Sequence, residues 1–77
     1  MFFSQQIQQI QHVKATVEEV LPNSGLAYLT DDDAGHWTVT RSMPGVGLTN
    51  LTPGQRLDLE IQHHADFSLV SAYTPLD

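Results

Sequence analysis

The feature that most constrains this chain is a strict alternation of apolar and charged side chains across residues 56–61. Leu57, Leu59 and Ile61 alternate there with residues that carry a charge. Successive side chains of an extended strand point to opposite faces. A two-residue period therefore puts the apolar side chains on one face, and that face is predicted to be buried. Other stretches with β-forming residues or the same period lie at residues 13–17, 26–30, 37–41 and 67–73. The pattern predicts five short β-strands.

The segments between these strands contain residues that favour turns. Residues 22–25, 31–35 and 63–66 are predicted to form short turns. In residues 31–35, aspartate is predicted to cap the bend and Gly35 to adopt a positive φ. Residues 42–54 contain two prolines and three glycines, which predicts a long connection with one helical turn near residues 48–51. The sequence therefore predicts an all-β fold, namely a small five-stranded antiparallel Greek-key barrel of the OB type. An SH3-like barrel is the alternative.

The first twelve residues differ in composition from the rest of the chain. They contain five glutamines and no basic residue, so we expect no signal peptide there. We predict that residues 1–12 form a short N-terminal extension, either a helix or an extended arm, and that residues 13–77 form a single barrel domain. No apolar run approaches the roughly 20 residues that cross a bilayer, so we expect a cytoplasmic protein without membrane contact.

The composition of the chain excludes several kinds of site. It contains no cysteine, which removes disulfides, thiolate metal sites and cysteine nucleophiles. Three basic residues against nine acidic residues give a formal net charge of −6. This charge argues against binding nucleic acid through bulk positive charge, but base stacking on aromatic side chains does not depend on net charge.

No catalytic or metal-binding pattern stands out. His63 and His64 are adjacent, and adjacent strand residues point to opposite faces, so they are not expected to hold one metal ion. The acidic run that begins at Asp31 has Ser42 as its twelfth residue, where a calcium-binding EF-hand loop requires glutamate. The spacing selects no nucleophile and base pair. We expect no catalytic activity, no metal site and no cofactor.

The two aromatic residues of the central segments are predicted to lie on different faces. Trp37 shares the parity of Val39 and is predicted to face the core. Tyr28 has the opposite parity from Ala27 and Leu29, so it is predicted to be exposed.

Four short motifs follow one another in a recognisable order. The segment SGLAYLT at residues 24–30 matches a K-G-F-G-F-I-T motif in register, and an acidic turn follows it. WTVTR at residues 37–41 falls on a V-F-V-H-F motif, and LTPGQRL at residues 51–57 falls on L-x-x-G-Q-x-V. The motif that comes first in this order is G-x-V-K-W-F-N, and Thr16 and Val17 fall on its apolar position. Residues 15–73 thus resemble the bacterial cold-shock domain, which implies an OB-fold that binds single-stranded nucleic acid.

The stacking positions of that family are mostly replaced in this sequence. The resemblance implies surface aromatics on the first three strands, and of these positions only Tyr28 carries an aromatic residue. Glu18 and Glu19 stand at the lysine and tryptophan positions. The other positions carry Leu26, Thr38, Thr40 and Arg41. Since each lost stack removes about 1–3 kcal/mol of binding free energy, the resemblance implies at most weak binding.

Three interpretations of function follow from the sequence. The first is weak binding of single-stranded RNA or DNA through Tyr28, Arg41 and Lys14, assisted by His12 or His36. The second is a protein-interaction or homodimerising module, in which Leu26, Tyr28, Thr38 and Thr40 form an uncharged contact patch. The third is an unrelated role on the same fold.

Overall fold

A computed structural model of the protein describes residues 9–76. These residues form five antiparallel strands and one 3-10 turn, and the part of the chain described contains no α-helix. No helix in residues 9–76 is long and apolar enough to cross a membrane. The strands are β1 (Gln9–Leu21), β2 (Leu26–Asp31), β3 (His36–Thr40), β4 (Arg56–His63) and β5 (Ser68–Pro75), with the 3-10 turn at Leu48–Asn50.

The strands form one sheet in the order β3-β2-β1-β4-β5. Strands β1 to β3 form a meander and β4 returns beside β1, which is the Greek-key arrangement. The 13-residue β1 pairs with β4 through its first half and with β2 through its second half, with a β-bulge between Val17 and Glu19. The sheet curls strongly into a half-barrel, consistent with a small OB-like barrel. The predicted all-β, five-stranded antiparallel fold is confirmed.

The concave face of the sheet carries the hydrophobic core. Strand β4 supplies Leu57, Leu59 and Ile61, which are fully buried as the alternation predicts. The other four strands and the connection before β4 supply the rest of the buried core: Ala15, Val17, Ala27, Leu29, Val39, Leu48, Leu51, Val70 and Tyr73. Trp37 lies half-buried at the margin of this core, on the side that its parity predicts.

The long connection before β4 packs on the ring of Tyr73, whose residue is only 3% exposed. A side chain at Gly45 would lie 2.6 Å from Cε1 of that ring, so only glycine allows the backbone to approach so closely. The Gly47 N–H donates to the Tyr73 hydroxyl at 3.1 Å, and the Tyr73 N–H donates to the Pro44 carbonyl at 3.3 Å. These contacts attach the connection to β5.

Several boundaries differ from the sequence-based expectation. Strand β1 begins at Gln9, so residues 9–12 belong to the sheet and not to the extension predicted for residues 1–12. Residues 1–8, where a helix or an arm is predicted, lie outside the described residues. Strand β3 ends at Thr40, which places Arg41 in the following turn. His63 is the last residue of β4 and not part of the turn that follows.

The turn between β2 and β3 takes its positive φ at an unexpected residue. Ala34 has a φ of 67°, whereas Gly35 is not in the positive-φ region. Gly35 is instead required for space, because a Cβ there would lie 2.6 Å from the Asp31 Oδ2 atom. The prediction of a positive φ at Gly35 is therefore wrong, and the carboxylate of Asp31 explains why a glycine occupies the position.

Candidate functional site

Four residues of the predicted site form one continuous patch on the convex face of the sheet. Leu26 pairs with Thr40, and Tyr28 pairs with Thr38, so the four side chains stand side by side on β2 and β3. Ala27 and Val39 lie between them in sequence and are fully buried on the opposite face. We call these four residues the outer-face patch. Tyr28 is 40% exposed, which confirms the predicted exposure of its ring.

Carboxylates border the outer-face patch on the β1 side. The bulge in β1 shifts the register so that Glu19 lies directly opposite Tyr28. Directly opposed residues of antiparallel strands have Cβ atoms about 4.5–5.5 Å apart, so this carboxylate is within reach of the tyrosine ring. Glu18 and Glu19 are both exposed. The border is therefore unfavourable for a phosphate group.

Arg41 lies at the end of the outer-face patch next to Thr40. Its N–H donates to the Gly25 carbonyl at 3.0 Å, and its guanidinium Nη2 donates to the Pro22 carbonyl at 3.4 Å. Gly25 has a φ of 73°, and a Cβ there would lie 2.7 Å from Nη2. The guanidinium thus rests on a glycine, beside an open pocket of about 270 Å³ that Leu48 also borders.

Lys14 lies apart from the outer-face patch. Because Thr16 pairs with Thr30, Lys14 lies about four residues along the sheet from Tyr28, a distance of about 13 Å. Its carbonyl accepts the Asp32 N–H at 3.1 Å, and its pairing partner on β4 is Asp58. The structure therefore brings together five of the six predicted site residues and places Lys14 beside the acidic turn.

The two assisting histidines are also separated from the patch. His12 bonds through Nδ1 to the Asp58 carboxylate at 2.7 Å. His36 starts β3 and pairs with Thr30, at the end of the strand away from Arg41.

Asp31 organises the turn between β2 and β3. Its Oδ1 accepts the N–H groups of Asp33 and Gly35, each at 2.8 Å. Its Oδ2 accepts the Trp37 indole N–H at 2.7 Å. The hydrogen bond from Trp37, followed by that from the Gly35 N–H, lowers the pKa of the Asp31 carboxyl below 3.8. The sequence indicated a capped turn here, but nothing in it indicated the bond to the tryptophan.

Arg56 is committed to Asp32. Its Nη1 and Nη2 donate to the two carboxylate oxygens at 2.8 and 3.0 Å, and Nη1 also donates to the Thr16 hydroxyl at 3.0 Å. The hydrogen bonds from Arg56 lower the pKa of the Asp32 carboxyl, and the same pair raises the pKa of Arg56. Of the three basic residues of the chain, Arg41 alone adjoins the outer-face patch.

These carboxylates predict a loss of stability in acid. The pKa values of Asp31 and Asp32 are below 3.8, so both groups stabilise the fold above that pH, and this contribution is lost as the pH falls through the folded-state pKa values. We expect the thermal unfolding midpoint to decrease from about pH 5 to pH 2. The Asp32→Asn variant should show a shallower decrease. Asp33→Asn is the control, because the Asp33 carboxylate accepts no hydrogen bond within the described residues. An equal decrease of the unfolding midpoint with pH in both variants would contradict the stabilising role of Asp32.

The histidines near the end of β4 have local partners. His63 bonds through Nε2 to the Gln11 side chain and through Nδ1 to the Ser68 hydroxyl, each at 2.7 Å. His64 stacks on Phe67 with the ring centroids 4.4 Å apart. Within residues 9–76, no group of three or more His, Asp or Glu residues is arranged to hold a metal ion.

Comparison of the chain with protein families, with curated proteins and with solved structures finds no match. The functional argument therefore depends on the geometry of the outer-face patch.

Proposed function

We propose that this protein is a small OB-like module that binds single-stranded nucleic acid weakly through Tyr28 and Arg41. The observation that carries the proposal is the exposed ring of Tyr28 on the convex face of β2, in one continuous patch that ends at a guanidinium. An exposed aromatic ring accepts any base by stacking, and arginine binds a phosphate group with two parallel hydrogen bonds. Tyr28 lies on the paired strand β2, and Arg41 directly follows the paired strand β3.

The free energy available to such a site is small. One base stacked on Tyr28 contributes about 1–3 kcal/mol, and one arginine neutralises a single phosphate. Glu19 opposes Tyr28 and repels the backbone of a bound strand. We therefore expect a dissociation constant of about 100 µM at low salt, at the weak end of non-specific binding.

The uncharged character of the outer-face patch supports a second candidate function. Leu26, Tyr28, Thr38 and Thr40 carry no charge, and a centre of this kind with a charged border is typical of protein contacts. In this alternative the same patch binds a protein partner, and the carboxylates at Glu18 and Glu19 select a partner with basic residues at its border.

Binding to a labelled oligonucleotide of about 12 nucleotides, measured by fluorescence anisotropy at low salt, tests the first proposal. Tyr28→Ala should raise the dissociation constant about 5- to 150-fold, because it removes one stack. Tyr28→Phe retains the ring and should bind like the parent chain. Glu19→Gln removes the opposing carboxylate and should bind more tightly.

Phe67→Ala is the matched control. Phe67 is 55% exposed but lies in the turn between β4 and β5, so its removal should leave oligonucleotide binding unchanged. If the parent chain fails to bind at about 100 µM, or if Tyr28→Ala binds as the parent does, nucleic-acid binding by this patch is refuted. The uncharged patch then remains as a protein-contact surface.

A further inference from the structure

Among residues 9–76, the first residues of β1 have a strand neighbour on one side only. Strand β4 pairs with residues 9–16, whereas β2 pairs with β1 only from Ala15 onward. The last hydrogen bond on the β2 side joins the Asp32 N–H to the Lys14 carbonyl at 3.1 Å. Within the described part of the chain, no strand lies beside residues 9–13 on that side.

The backbone groups that this edge presents can be identified from the strand alternation. Alternate residues of a strand in a ladder direct both their N–H and their C=O toward the same neighbour. The Lys14 carbonyl points toward β2, so the groups of Ile10 and His12 point to the same side, where no strand among residues 9–76 pairs with them. The edge therefore offers two donors and two acceptors.

This edge carries no charged side chain, proline or bulge of the kind that protects edge strands from pairing. Proteins protect such edges with lysine, proline, inward charges or bulges. Residues 9–13 are QIQHV, without a lysine, a proline or a carboxylate, and the bulge of β1 lies further along the strand. Ile10 adds an apolar side chain that is 52% exposed on the convex face.

We propose that this edge of β1 pairs with the same edge of a second copy, antiparallel, about a two-fold axis that passes through Gln11. In this register Ile10 of each copy lies opposite His12 of the other. Each such pair exchanges two hydrogen bonds, so the two donors and two acceptors of each copy are all satisfied. The interface is isologous and closes at the dimer, and it lies apart from the outer-face patch.

The charge distribution favours this antiparallel arrangement. The acidic turn at residues 31–33 lies beside Lys14, just past one end of the free edge. An antiparallel pair places the two acidic turns at opposite ends, about six residues or 20 Å apart, which exceeds the screening length of about 8 Å at physiological ionic strength. A parallel pair would place these turns side by side.

The dimer is expected to be weak because its interface is small. Four backbone hydrogen bonds and the contacts of Ile10 bury far less area than a standard stable interface. We expect a dissociation constant of about 100 µM, so sedimentation velocity should show monomer at low concentration and dimer near about 1 mM. A chain that remains monomeric at that concentration overturns the proposal.

Two variants at one position separate backbone pairing from side-chain packing. Ile10→Pro removes the free-edge N–H and breaks no hydrogen bond to β4, so it should abolish the dimer while the chain stays folded. Ile10→Ala retains the N–H and is the matched control, which should dimerise within a few-fold of the parent. Circular dichroism verifies the fold of both variants. Equal dimerisation of Ile10→Pro and the parent chain would overturn the proposal.

A single cysteine tests the register directly, because the chain contains none of its own. Gln11 faces Gln11 of the second copy across the axis, where opposed Cα atoms in such a pair are about 4.5 Å apart, within the range for a disulfide. Gln11→Cys should therefore form a covalent dimer under mild oxidation. Gln9→Cys places the two sulfur atoms about four residues apart along the ladder and should not. Crosslinking of both variants to the same extent, or of neither, contradicts the register.

Discussion

We expect Leu59→Ala to destabilise the fold by about 3–4 kcal/mol, the largest effect of any single substitution considered. Leu59 is fully buried on β4, where it pairs with Val13 on one side and with Tyr73 on the other. Its removal leaves a cavity between strands that the ladders hold at fixed spacing, so the neighbours cannot close it. A chain of 77 residues typically has about 4–12 kcal/mol of stability, so the variant loses about a quarter or more of it.

Urea denaturation followed by Trp37 fluorescence measures this loss, since the indole packs at the margin of the core. Gln62→Ala is the control on the same strand, because its side chain lies on the convex face and the change should alter stability by no more than about 0.5 kcal/mol. A loss of less than about 1 kcal/mol for Leu59→Ala would show that the core does not close around this residue as described.

We expect Asp31→Ala to destabilise the fold by about 3 kcal/mol, the second largest effect. The substitution removes three hydrogen bonds to an ionised carboxylate, from two turn N–H groups and from the Trp37 indole. Hydrogen bonds to charged groups contribute about 1.5–3 kcal/mol each, and water replaces part of this at the exposed end of the turn. The hairpin of β2 and β3 should fray first in the variant.

Asp33→Ala provides the matched control for this prediction. It removes the same charge from the same turn, but the structure shows Asp33 only as a donor through its backbone N–H. Its effect should stay within about 0.5 kcal/mol. Trp37→Phe removes the indole donor together with part of the ring that packs at the margin of the core, and it should reproduce part of the Asp31→Ala loss. If Asp31→Ala and Asp33→Ala were equally stable, the carboxylate of Asp31 would not organise the turn.

The inward-facing residues could be predicted from the sequence because side-chain alternation is a local property of a strand. Leu57, Leu59 and Ile61 lie in the core as their spacing requires, and Tyr28 lies outside it. The length of β1 could not be predicted in this way. Residues 9–12 have no clear alternation, and they form strand because β4 supplies a hydrogen-bonding partner that is distant in sequence.

The arrangement of the site depended on register, which the sequence does not specify locally. The sequence interpretation groups Lys14 with Tyr28 and Arg41 as a residue that binds a single strand. The pairing of Thr16 with Thr30 places Lys14 beside the acidic turn instead. The β-bulge in β1 has no sequence signature, yet it decides that Glu19 is the residue opposite Tyr28.

Strands β3 and β5 form the two edges of the sheet and meet at a seam of the half-barrel. The bonding across this seam determines how the half-barrel can open. No backbone hydrogen bond joins these two strands within the described residues. Two hydrogen bonds join Tyr73 of β5 to the connection that follows β3, at Pro44 and Gly47. Separation of the two halves there would require both of these hydrogen bonds to break, the Tyr73 ring to leave Gly45 and the buried core to part, but it would break no hydrogen bond of the four strand ladders. Such an opening at the seam would expose the core to solvent while the amides of the sheet stay protected from hydrogen exchange.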